Sequence, residues 1–166
     1  MATVLKSTER DFVENPNKID GFKIFSDISR ANKGVNPQNL NFDLRKLYPG
    51  QCSAPYHFHR YAEELFVILE GSATLRSPNG LEVVTSGDMM FFEMGESGAH
   101  QLYNHTEEVC LFLDIRTYLG FDLCEYPDSN KLLIAPSMEC YDKSAQVEYF
   151  KGEEDIKKKW ADGTIL

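Results

Sequence analysis

The sequence predicts an all-β fold, a double-sheet jelly roll or small barrel over residues 40–116, and three observations carry that reading. Short runs rich in aliphatic, β-branched and aromatic residues recur at regular intervals through this stretch. Each run is closed by Gly, Pro, Asn or Asp. No helical periodicity separates them, so a parallel α/β fold, which needs a crossover helix between strands, has no room.

The runs follow one another closely. Leu40, Phe42 and Leu44 recur at every second residue, the alternation of a strand over 40–47, and Tyr48-Pro49-Gly50 turns the chain. A strand over 56–59 precedes one over 64–70 that stops at Gly71. The next two, 72–76 and 81–85, are joined by Ser77-Pro78-Asn79-Gly80, whose Asn-Gly pair favours the positive φ angles of a tight hairpin. The Ser86-Gly87-Asp88 turn leads to 89–92, and 99–103 and 109–115 complete about eight strands. Residues 65–69 and 109–113 are apolar on both faces. One face is therefore expected to meet the interior while the other is covered by a second sheet, an arm or a second subunit.

The flanks read differently. Residues 1–39 are polar and broken by Asn-Pro, Asp-Gly and Asn-Lys-Gly turns, with one apolar patch at Phe22, Ile24 and Phe25. Beyond the barrel an extended arm covers 126–134, and a charged tail follows. The expected organisation is an N-terminal arm over 1–39, a barrel over 40–116, and a C-terminal arm and tail over 117–166 packed on the barrel. Neither arm could fold alone, so both are expected to wrap the barrel or to exchange within a homodimer.

At 166 residues and 42% hydrophobic content the chain supports one core and is too short for two. A net charge of −9 argues against nucleic acid or an anionic membrane as partner. No stretch approaches the roughly 18 apolar residues that a spanning helix needs. The first residues lack the positive start and apolar block of a secretory signal. Cys52, Cys110, Cys124 and Cys140 are widely spaced, with no C-x-x-C, and read as reduced, mostly buried thiols of a cytoplasmic protein.

One constellation carries chemistry. His57 and His59 are two apart, which on a strand sends both imidazoles to the same face. Glu64 opens the next strand after a short turn, and His100 lies on a later strand that a barrel can bring opposite. Imidazoles plus one carboxylate, with positions left for water or substrate, suit Fe, Mn, Ni, Zn, Co or Cu and serve Ca or Mg poorly. Glu63 is read as a solvated neighbour, because Glu64 is the one followed by a six-residue run to Gly71.

Two motifs resemble those of the cupin superfamily. The first is Gly50, six residues, His57-x-His59, four residues, Glu64, six residues and Gly71, one residue longer after the first Gly than the family pattern. The second is Gly87, five residues, Glu93-Met94-Gly95, a gap, His100, three residues and Asn104. Glu93 stands where the family has Pro, and the gap before His100 is two residues longer than the simplest pattern. The segment Glu125-Tyr126-Pro127-Asp128-Ser129 is similar to the arm of a subgroup of small single-domain cupins with no assigned activity, so that likeness implies architecture alone.

The resemblance implies a double-stranded β-helix barrel and one divalent transition metal on His57, His59, Glu64 and His100. Phe66, Ile68, Met90, Phe92 and Leu102 share parity with these residues or lie on neighbouring runs, and are expected to line an apolar pocket. His105 and Asn104 are expected in turn or strand-end roles. Cupin likeness admits dioxygenases, isomerases, decarboxylases and lyases, and no residue is singled out as catalytic. The expectation is a metal-dependent enzyme for a small molecule; the alternative is a non-catalytic module that binds a small molecule or a metal.

Overall fold

The computed structural model describes residues 2–16 and 19–160. Residues 1, 17, 18 and 161–166, parts of the two expected arms, lie outside the described residues. The strands in chain order are β1 (Phe12–Glu14), β2 (Ile24–Asp27), β3 (Leu40–Leu47), β4 (Phe58–His59), β5 (Glu64–Glu70), β6 (Ser72–Ser77) and β7 (Gly80–Thr85). They continue with β8 (Met89–Phe92), β9 (Gln101–Tyr103), β10 (Cys110–Thr117), β11 (Asp122–Tyr126), β12 (Lys131–Ala135) and β13 (Glu139–Asp142). Among the described residues two short α-helices, α1 (Ser29–Asn32) and α2 (Ile156–Lys159), lie outside the barrel strands.

All strand pairs are antiparallel. One sheet has the order β1-β2-β3-β10-β5-β8. The others, β13-β12-β11-β4 and β7-β6-β9, are stitched together by a bridge between His57 and His100. Both backbone bonds of that bridge are made, His57 N–H to His100 O at 3.2 Å and His100 N–H to His57 O at 2.8 Å. The result is a double-stranded β-helix with its core between the sheets, where Leu47, Ile68, Leu102 and Phe112 are fully shut off from water.

In β5 the residues Glu64, Phe66 and Ile68 point inward and are buried, as a period of two requires. Their partners on β10, Arg116, Asp114 and Phe112, share that face by register. The opposite face of β3 and β10 carries Phe42, Leu44 and Leu113, which line a small cavity of about 170 Å³ together with Leu5 and Arg10 from the N-terminal segment. The apolar alternation of β3 therefore marks its outer face, under the arm. On the inner face of the same strand stand Arg45 and Leu47, paired with Phe112 and Cys110.

Both flanks add strands. β1 and β2 extend the large sheet beside β3. The segment read as one extended arm is a three-stranded meander, β11-β12-β13, that docks on β4. Asn130, in the left-handed conformation at φ 48°, reverses the chain between β11 and β12. Leu81, Val83, Met89 and Phe91 are exposed on β7 and β8.

Candidate metal centre

The bridge between the two smaller sheets places the histidines. β4 is too short to carry all of the expected 56–59 strand, so His57 enters the ladder through its bridge to His100 alone, and their ring centres lie 4.7 Å apart. His59, two residues on, turns to the same interior, with its ring 5.0 Å from that of His57. Glu64 reaches in from the first residue of β5.

Each imidazole is held by its Nδ1. His57 Nδ1 lies 2.9 Å from Pro55 O, His100 Nδ1 lies 2.9 Å from Gly98 O, and His59 Nδ1 lies 2.5 Å from Asp122 Oδ2. A neutral imidazole that donates from Nδ1 keeps its Nε2 lone pair for another partner. These remaining nitrogens converge on Glu64: His59 Nε2 is 3.3 Å and His100 Nε2 is 3.0 Å from Oε2 of the carboxylate. Donor atoms of His57, His59 and Glu64 all lie within 4.8 Å of one another. Packing keeps the rings in place, since Phe92 stacks on His100 with 3.7 Å between centres and Tyr126 stacks on His57.

Two atoms of this cluster, Glu64 Oε2 and His100 Nε2, are buried and have no well-aligned hydrogen bond although they lie 3.0 Å from each other. Leaving a buried donor or acceptor unsatisfied costs about 1–3 kcal/mol, and more for a charge. A cation coordinated by both would satisfy them, so the donor set fits a divalent transition metal on an observation of the fold itself.

The electrostatics divide the two histidines of the His57-x-His59 pair. Burial and the neighbouring His100 push the His57 ring down to about 3, so it is neutral at physiological pH and free to ligate. Burial opposes charge on His59 too, but Asp122, Cys124 and Glu64 beside it hold its ring up to about 11. Burial alone would raise Glu64, yet the two histidines keep its carboxyl well below the usual range. Burial pushes Asp114 up to about 7 against the pull of Arg45, whose Nη2 lies 2.8 Å away.

These groups line a cavity of about 210 Å³ inside the barrel. Of the five residues expected to line it, Phe66 does so. Phe92 lies behind His100, while Ile68, Met90 and Leu102 sit in the hydrophobic core instead of on the cavity wall. The wall is more polar than expected: Arg45, Asp114, Arg116, Asp122 and Cys124 all reach it, with Leu133, Ala135 and Met138 of the meander closing one side. His105 is exposed and bonds Thr74 at 2.8 Å. Asn104 is fully buried and pins backbone, donating to Leu47 O at 2.7 Å and Glu108 O at 2.8 Å.

A second group, His59, Asp122 and Cys124, also gathers donor atoms within 4.8 Å. Its centre is His59 Nδ1, already engaged by Asp122 and 3.2 Å from the Cys124 sulfur. Asp122 also accepts from the backbone N–H of Tyr61 at 3.1 Å, which fixes the carboxylate as an orienting group. None of Arg45, Asp114, Arg116 and Asp122 was singled out by sequence. The signal was present for Asp114 and Arg116, two charges with the parity of Phe112 inside an otherwise apolar strand.

A closed antiparallel barrel with imidazoles and carboxylates meeting at an interior cavity defines the class: a double-stranded β-helix with an internal site. Residues 44–116 match the cupin domain family. No curated protein matches it. Among solved structures it is similar to a sugar phosphate isomerase of the cupin superfamily from Silicibacter pomeroyi, with 21% identity, TM-score 0.74, and 88% of this chain and 96% of that one covered. A provisionally named sugar phosphate isomerase from Acidithiobacillus ferrooxidans is 26% identical, with TM-score 0.68 over 77% of this chain and 81% of the other. The polyketide cyclase RemF from Streptomyces resistomycificus shares 22% identity and TM-score 0.54 over 70% and 80% of the two chains.

Proposed function

We propose that this chain is a metal-dependent enzyme for a small molecule, holding one divalent transition metal on His57, His59, Glu64 and His100. The observation that carries the reading is the common orientation of the three imidazoles. Each is tied back through Nδ1, which leaves the other nitrogens facing a carboxylate with an unsatisfied oxygen. A divalent ion held there would supply Lewis acidity toward a carbonyl or enediol oxygen.

The rest of the cavity fits proton transfer, so the reaction class is isomerase or lyase work on a hydroxycarbonyl compound. Asp114 lines the cavity on the strand next to Glu64 and is the carboxyl placed to take a proton from one substrate carbon and return it to another. Arg45 holds that carboxylate in position. Phe66, Leu133 and Ala135 supply apolar wall to the cavity. The 26% likeness to a provisionally named sugar phosphate isomerase supports this branch by analogy.

The test is a screen of small aldoses, ketoses and hydroxy acids with protein loaded with Mn, Fe, Co, Ni or Zn in turn. Turnover that needs the metal and is lost in Asp114→Asn supports the reading. Metal uptake with substrate binding and no turnover across the panel would favour a binding module.

A further inference from the structure

Arg116 is a cavity-lining guanidinium with no carboxylate in ion-pair contact among the described residues. The other cavity arginine, Arg45, is paired with Asp114 at 2.8 Å and lies 3.6 Å from Asp43. Register sets Arg116 directly across from Glu64, on the inner face of β10. Among the described residues its one polar side-chain contact is long, with Nη1 3.5 Å from Nε2 of His59. Five donors in a fixed fork are thus left almost unused beside the proposed metal ligands.

Charge balance says what they await. The cavity wall carries three carboxylates, on Glu64, Asp114 and Asp122, and two guanidiniums, on Arg45 and Arg116. With neutral imidazoles and all three carboxyls ionised, a divalent ion makes this set positive by one charge, and by more where Asp114 holds a proton. The carboxylates that offset Arg116 at longer range, Glu64 before Asp114 and Asp122, are then shared with the ion, with Arg45 and with His59, and the half-buried guanidinium is left under-compensated.

We propose that Arg116 is the anchor for an anionic substrate: a small oxygenated acid whose carboxylate or phosphate oxygens accept hydrogen bonds from the guanidinium fork. The proposal rests on the metal-enzyme reading above and narrows its substrate class. Because the guanidinium touches a ligand imidazole, the acid group sits beside the reacting end of the molecule and not on a remote tail. The cavity of about 210 Å³ suits a compact acid.

Calorimetric titration with glycolate and with inorganic phosphate, on metal-loaded and metal-free protein, tests this. The variants are Arg116→Met, which keeps the bulk, and Arg116→Lys, which keeps the charge. Metal content and the circular dichroism spectrum are recorded for each. Wild-type loaded protein should bind at least one probe, and Arg116→Met should lose about tenfold or more in affinity while keeping its metal and fold. Arg116→Lys should recover part of that loss. The probe that binds tells carboxylate from phosphate. Equal binding by wild type and Arg116→Met, or no binding of either probe by wild type in either state, overturns the proposal. Protein that takes up no metal defeats the metal reading separately. In that case an affinity of the metal-free protein that depends on Arg116 upholds the anion site, and one that does not overturns it.

Discussion

Glu64 Oε2 and His100 Nε2 lie 3.0 Å apart, both buried, with no well-aligned hydrogen bond between them. Two buried donor atoms held this close without an aligned hydrogen bond fit a shared cation. Glu64→Gln removes the only carboxylate at which the imidazoles converge. It should lower transition-metal affinity by at least about a hundredfold, read by competition with a chelator, and leave the far-ultraviolet dichroism unchanged.

Asp122 orients His59 from behind, with 2.5 Å between its carboxylate and Nδ1. Loss of such a partner costs roughly 10–100-fold in metal affinity. Asp122→Asn should fall in that range. A variant that binds metal as tightly as wild type would remove Asp122 from the site.

Metal uptake should also release a proton. His59 is held up to about 11 in the metal-free protein, so below that pH it carries a proton that a metal must displace. His57, held down to about 3, releases none. Affinity should therefore fall about tenfold per pH unit on acidification from neutral pH, until further groups titrate. Calorimetry in buffers of different ionisation enthalpy counts the proton directly, and a count of zero would contradict this charge state.

Gly98 packs its Cα against the chain: a Cβ there would lie 1.9 Å from Glu93 O. Backbone must move to admit it, so Gly98→Ala should cost about 1–3 kcal/mol in stability, measured by urea unfolding. Because Gly98 O accepts from His100, the same substitution should weaken metal binding.

The C-terminal meander is latched by Glu125, which is buried and ion-paired to both Arg60 and Lys143. Burial raises its pKa, but these two cations bring it below the ordinary 4.5. A depressed carboxyl contributes stability that is present above its unfolded pKa and lost as pH falls through the folded value. Glu125→Gln should thus be destabilised by about 1 kcal/mol at pH 7, since both cations are partly exposed. That gap should close as the pH falls below the ordinary carboxyl range, through the depressed folded value. A gap independent of pH would deny the latch.

The barrel was legible because its strands are short, patterned and closed by turn residues. The positions 57, 59, 64 and 100 stood out because histidine is scarce in this chain and the spacing is strict. What escaped was the polar half of the cavity. Pattern reading assigns charged residues to the outer face of a strand. In β3 and β10 the apolar set Phe42, Leu44 and Leu113 lies outside under the N-terminal segment, while Arg45, Asp114 and Arg116 point inward. A functional interior inverts the parity rule. Asp122 and Cys124 escaped for another reason: the meander that carries them read as an arm, and only its pairing with β4 brings Cys124 opposite His59.

The coordination shell itself offers the most direct test. X-ray absorption on protein loaded with one equivalent of zinc should show nitrogen and oxygen ligands at about 2.0–2.2 Å, with the multiple scattering of imidazole and no sulfur. A sulfur ligand at about 2.3 Å would move the ion to Cys124, and protein that retains no zinc would leave the three imidazoles and Glu64 without the role assigned to them.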